Sequence, residues 1–337
     1  MKPDQNLVGL IRDYQMRKIK NVGVIGAGLM GHALTLVHAI GGCQIKMQDI
    51  SSKQLSIGMG LIENALDTLI SAEVVSKKDR AKILGRVQPI EKLEAAVTDV
   101  DLVVEAVVEN VEVKATIFSE IDKAADLDVI IASNTSNLDI FPLVPERRLK
   151  NCLIAHWYTP PYIIDLVDLA AGPETDPDLL KVMEGFYLEI GKKPVLFEKF
   201  ISGYVANRLQ AAMGLEITKL LDEGWATPTA IDDSVKYGLA LRMALMGSLM
   251  KADFTGLDMM QRGMANRTYD PPIPKGNSPT LDELIKSGRG GVMSGAGYFD
   301  YGDLSASELF KNRDIGLLRL KSEVAQIEGK YPLGKKT

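Results

Sequence analysis

Cysteine, histidine and aromatic side chains are scarce in this chain of 337 residues, which holds two cysteines, three histidines and 6% Phe, Trp and Tyr. Cys43 and Cys152 show no Cys-x-x-Cys spacing, so the expectation is two buried thiols in a reducing compartment rather than a disulfide framework. His32 and His38 fall six residues apart on one expected helix, the wrong spacing for a shared ligand face, and no metal site is expected. No apolar run approaches the ~20 residues that span a bilayer. Forty-four acids against 39 bases leave a net charge of -5, with no strongly basic surface for nucleic acid, and 46% hydrophobic residues argue against disorder. The expectation from composition is a soluble protein of the cytoplasm, long enough for two domains and a buried core.

The most informative stretch is Val22-Gly23-Val24-Ile25-Gly26-Ala27-Gly28-Leu29-Met30-Gly31, followed by Asp49. It reads as a short apolar strand, a Gly-x-Gly-x-x-Gly loop, a helix, and a second strand (Gln44 to Gln48) that ends in an acid. Gly26 allows the tight turn, Gly28 admits a pyrophosphate close to the backbone, and Gly31 lets helix and strand approach. Leu29 and Met30 complete the loop, and the helix N-terminus offers free N–H groups to phosphates. Asp49 stands where a carboxylate accepts both ribose hydroxyls of the adenosine half of NAD and repels a 2′-phosphate. NAD is therefore the expected cofactor.

Residues 1–19 form an N-terminal extension, read as an amphipathic helix from Leu7, Leu10, Ile11 and Tyr14 and not as a targeting peptide. Between Ser51 and Arg86 a stripe of Leu55, Met59, Ile62, Leu66 and Leu69, interrupted at Glu73 to Asp79, predicts an inserted helix-turn-helix. Strands are expected at 101–104, 128–132, 152–155, 166–169 and 194–197. Helices are expected near 114–125 and from Asp176 to Ile190, the latter with Asp176 as N-cap, Pro177 next and Gly191 as the stop. After Phe200 only helical patterns follow: 205–221, one opening at Thr227-Pro228 and stopping near Gly238, one from Leu281, and 305–328. The fold class is α/β: a Rossmann-type doubly wound sheet over 20–199 carrying the insertion, then an all-α domain over 200–337.

Four polar segments stand at or near strand ends, where open α/β sheets bind ligands. They contain Ser136, His156, Asp168 and Asn207. An imidazole is suited to take a hydroxyl proton while hydride leaves for a nicotinamide, and a carboxylate such as Asp168 would fix its tautomer. Ser136 and Asn207 offer hydrogen bonds to substrate oxygens. Together with Val103-Val104-Glu105-Ala106, Asp253–Asp258 and Gly295–Tyr301, these segments resemble the 3-hydroxyacyl-CoA dehydrogenase family over nearly the whole stretch from Lys20 to Tyr301. The resemblance implies His156 as base, Asp168 in place of the family's glutamate partner, Ser136 and Asn207 as the active-site polar pair, and Glu109 and Lys114 as NAD contacts. It also implies dimerisation through the helical domain and a place in fatty-acid metabolism.

The departures bear on substrate. The family's His-Phe-Phe-Asn-Pro is His156-Trp157-Tyr158-Thr159-Pro160 here, which puts Thr159 where the family has an asparagine near the cofactor. A serine and a lysine that meet coenzyme A in fatty-acyl members correspond to Ala65 and Ala72, with Glu73 beside the second, and a C-terminal lysine is Met293. The stretches 159–164 and 238–247 resemble branches acting without coenzyme A, among them lambda-crystallin (gulonate dehydrogenase), carnitine dehydrogenase and a pyridine-alcohol dehydrogenase. Arg242 either faces a substrate carboxylate or lies on the surface at a helix end. The expectation is NAD-dependent oxidation of a 3-hydroxy group to a 3-oxo group in a 3-hydroxy acid or small alcohol. The alternatives are a 3-hydroxybutyryl-CoA substrate and an NAD-binding protein without turnover.

Overall fold

The computed structural model describes residues 18–266 and 269–333. The helix expected within 1–19 therefore lies almost wholly outside the described residues. The chain divides after Tyr204 into two compact units.

The first unit holds eight strands: β1 (Asn21–Ile25), β2 (Gln44–Gln48), β3 (Val87–Ile90), β4 (Leu102–Glu105), β5 (Ile130–Ser133), β6 (Cys152–Trp157), β7 (Leu166–Ala171) and β8 (Lys193–Phe197). They form one sheet in the order β3-β2-β1-β4-β5-β6-β7-β8. Every pairing is parallel except β6 with β7. The four-residue runs of β4 and β5 are buried throughout, as central parallel strands covered on both faces must be. Cys43, just before β2, and Cys152, first in β6, are both buried and unpaired.

Helices connect the strands: α1 (Gly31–Ile40), α2 (Ser52–Ser71), α3 (Arg80–Leu84), α4 (Leu93–Val97), α5 (Val111–Ala124) and α6 (Pro177–Glu189). The expected stripe on α2 is largely inward, with Leu55, Ile62, Leu66 and Leu69 buried, and Ser51 caps it by accepting from Gln54 N–H. Phe118 and Ile121 of α5 pack into the core with Val103, Ile131 and Ile154. Burying each such side chain contributes roughly 1.5–3 kcal/mol. On α6, Asp176 accepts from Asp178 N–H, Pro177 follows it, and Gly191 takes a φ of +81° beyond the end.

The second unit is helical: α7 (Tyr204–Asp222, its first residue in the first unit), α8 (Pro228–Asp233), α9 (Leu241–Thr255), α10 (Leu257–Ala265), α11 (Pro279–Lys286) and α12 (Ala306–Lys330). The stop expected near Gly238 does not occur. A π-helical stretch, 234–240, carries the chain from α8 into α9, which breaks instead at Gly247, where φ is +71°. Ser305 and Glu308 form a reciprocal capping box at the head of α12. Among the described residues no helix is long and apolar enough to cross a membrane.

Candidate active site

The glycine loop has the geometry a dinucleotide requires. Gly26 has a φ of +97° and its N–H donates to Gln48 O, bending the chain off β1. A Cβ on Gly31 would stand 1.7 Å from Gly26 O, whereas one on Gly28 would meet nothing within 4 Å. That open space before the uncapped start of α1 suits a pyrophosphate. Leu29 is exposed there. Asp49 braces the loop, its Oδ2 accepting from Ala27 N–H at 3.1 Å and its Oδ1 from Ser51 N–H at 3.0 Å. Thr159 reaches the same loop, its hydroxyl donating to Met30 Sδ at 3.2 Å. His32, which the sequence reading left without a role, holds the Gly28 carbonyl through Nδ1 at 2.8 Å; burial lowers its pKa.

A second cluster fixes the loop that follows β5. Glu109 Oε1 accepts from the Thr135 hydroxyl at 2.8 Å and from the N–H groups of Ser136 and Asn137, each at 2.9 Å. Burial works against the Glu109 charge, but these donors and nearby Lys114 hold its carboxyl below the usual glutamate range. Lys114 is itself buried, with Nζ 2.8 Å from Glu105 and 3.4 Å from Glu109. Glu105, at the C-terminal end of β4, also accepts from the Ser133 hydroxyl and from Val107 N–H. Sequence reasoning gave Glu105 no role, because its partner lies nine residues on, across a turn and into a helix. Removing Lys114 would strand a buried carboxylate, at a cost of about 3–5 kcal/mol.

The third cluster lies on the antiparallel pair. His156 and Asp168 face each other in the β6–β7 register, and His156 Nδ1 is 3.2 Å from Asp168 Oδ2. Both are buried. A proton on Nδ1 directed at the carboxylate leaves Nε2 as the acceptor. The Tyr158 hydroxyl donates to the same Oδ2 at 2.6 Å. The Tyr204 ring stacks on the imidazole at 4.8 Å and 19°, and its hydroxyl donates to Thr135 O at 3.4 Å. Burial first, then the charges of Asp168 and Glu109, raises the Tyr204 pKa and keeps its hydroxyl protonated. Gly203 and Tyr204 both have positive φ, +77° and +48°, a strained junction for a tyrosine that holds its ring in place. Gly203 N–H donates to Ser136 O, tying this junction to the Ser136 loop. Asn207 lies one turn further along α7, and Arg242 on α9 is exposed, with Nε on Gly238 O at 2.8 Å.

The family models decide the assignment. Residues 21–200 match the NAD binding domain of 3-hydroxyacyl-CoA dehydrogenase, and residues 203–301 match its C-terminal domain. The chain belongs to the 3-hydroxyacyl-CoA dehydrogenase family. It is an NAD-dependent oxidoreductase acting on CH–OH groups, and the glycine loop described above fits that cofactor. The dehydrogenase is 33% identical to a 3-hydroxybutyryl-CoA dehydrogenase of Bradyrhizobium diazoefficiens over 84% of this chain and 96% of that one. It is 31% identical to L-carnitine dehydrogenase of Oceanobacillus iheyensis over 90% and 97%. The crystal structure of 5-formyl-3-hydroxy-2-methylpyridine 4-carboxylic acid 5-dehydrogenase superposes with a TM-score of 0.81, at 26% identity over 91% of this chain and 99% of that chain.

Proposed function

We propose that this dehydrogenase oxidises the 3-hydroxy group of a small acid, or a related small alcohol, that is not carried on coenzyme A. One observation carries the reading: the inserted helices have spent their best cation. Arg80 is bound by Asp67 through Nε at 2.7 Å and reaches Glu63 at 3.3 Å, so its charge is already matched. Ala65 is buried on α2, Ala72 ends that helix without a charge, and Glu73 follows. Coenzyme A, rich in phosphate, needs the opposite balance. The likeness to a pyridine-carboxylate dehydrogenase supports the same reading.

NAD, when bound, supplies the nicotinamide carbon that accepts the hydride. His156 Nε2 takes the hydroxyl proton, and Asp168 holds the Nδ1 proton and stabilises the imidazolium that forms. Ser136 and Asn207 hydrogen-bond substrate oxygens, Arg242 meets a carboxylate, and Asp49 selects NAD over NADP. Glu109 and Lys114 shape the cofactor side of the site, Lys114 through its carboxylate partners. The protein works in the cytoplasm as a homodimer paired through its helical unit.

The second reading, 3-hydroxybutyryl-CoA dehydrogenation, is favoured by the 33% identical relative and by the exposed Lys77 and Lys78. Steady-state assays with NAD separate the two. Small 3-hydroxy acids, L-carnitine among them, should include a substrate preferred over 3-hydroxybutyryl-CoA, and free coenzyme A should not compete with it. Efficient oxidation of 3-hydroxybutyryl-CoA that is lost in the Lys77→Glu/Lys78→Glu variant would sink the proposal and establish the thioester reading.

A further inference from the structure

Two departures from the family motif meet in space. Tyr158 stands where the family's motif has phenylalanine, and Asp168 where the family has glutamate. The Tyr158 hydroxyl lies 2.6 Å from Asp168 Oδ2, the oxygen that also faces His156 Nδ1 at 3.2 Å. We infer that Tyr158 is a positioning residue for the base, holding the shortened Asp168 carboxylate in line with the imidazole; the inference rests on the reading of His156 as that base.

The physical argument starts from reach. Asp168 is one methylene shorter than glutamate, and its hydrogen bond to the imidazole is long. A carboxylate with a single partner is free to turn about its terminal torsion. A short, charge-assisted O–H···O⁻ bond from Tyr158 fixes that torsion. The Tyr158 ring stands edge-on to the imidazole at 4.7 Å, while Tyr204 covers a ring face. Asp168 on β7, Tyr158 just after β6 and Tyr204 at the head of α7 pack against His156, and Glu109 and Asp139 act on Tyr204. Tyr158 is half-buried, so its hydroxyl can be removed with the ring left in place.

The test compares Tyr158→Phe, Asp168→Glu, the double variant and His156→Ala. Assays use NAD with whichever of 3-hydroxybutyrate, L-carnitine or 3-hydroxybutyryl-CoA the enzyme oxidises. Nitrogen NMR of the imidazoles follows His156 without turnover, and thermal melts check folding. Tyr158→Phe should lower kcat about tenfold with KM little changed. It should also move the nitrogen shifts of His156, because the carboxylate that accepts from Nδ1 is no longer held. The double variant restores the family's pairing, so it should recover activity that Asp168→Glu alone loses, making the two costs non-additive. A folded Tyr158→Phe with unmoved His156 nitrogen shifts, or strictly additive costs, overturns the role of Tyr158. Should His156→Ala keep wild-type turnover, the base reading falls and this one with it. An inactive His156→Ala beside an unaffected Tyr158→Phe removes only the inference.

Discussion

His38 shows how one side chain can set a pH limit on a fold. It sits wholly buried on α1 among Trp157, Phe186 and Tyr187, with Nδ1 on Leu34 O at 2.8 Å. Burial, with a smaller contribution from the charge of Lys192 and against the Leu34 bond, pushes its pKa from 6.5 down to about 4. The unfolded chain therefore holds more protons at this position between those two values. Stability contributed by keeping His38 neutral is complete above about pH 6.5, falls as the pH drops, and is gone near pH 4. The loss from a shift this size is about 3 kcal/mol at most. Urea titrations of the first unit between pH 4.5 and 7.5 should show stability rising with pH, and His38→Gln should flatten the rise. A wild-type profile already flat over that window would contradict the assignment. His32, also lowered by burial, adds a smaller slope of the same sign.

The turn from β1 into α1 divides its glycines into two kinds. A methyl group on Gly31 collides with the Gly26 carbonyl, so Gly31→Ala should lower the melting temperature and weaken NAD binding together. A methyl group on Gly28 touches nothing in the protein, so Gly28→Ala should melt like the parent yet bind NAD at least about tenfold less tightly, about 1.4 kcal/mol. Calorimetric titration beside a thermal melt distinguishes them; equal NAD affinity in Gly28→Ala would mean that the pyrophosphate lies elsewhere. These glycines were legible in the sequence because their spacing is local, as were β1, β2 and the cap at Asp176. The edge strand β3 was not. Val87-Gln88-Pro89-Ile90 pairs on one side only, so it needs no apolar run and tolerates a proline. Nor could the sequence reveal the hydroxyl of Tyr158 or the carboxylate of Glu105, whose partners are set by strand register and by a buried helix face.

The two units differ sharply in how much apolar surface they cover. In the helical unit Leu241, Leu249, Phe254 and Met264 are each more than 60% exposed on the single chain. Exposed apolar side chains of this kind are what the proposed homodimer through the helical unit would cover. Analytical ultracentrifugation should give twice the mass of one chain, and Leu249→Glu should shift the population towards one; a monomer at micromolar concentration would refute the pairing. The first unit, by contrast, keeps both of the protein's thiols buried, one beside its sheet and one within it. Burial pushes Cys43 up to about 11 and Cys152 higher still, so neither is a thiolate at neutral pH. A disulfide reagent can therefore react only when the sheet opens. Without a single residue being changed, the protein carries two natural clocks for the breathing of its nucleotide domain, one beside β2 and one at the start of β6. With saturating NAD both should slow, and a thiol that reacts at once in the folded protein would show that its strand is not closed.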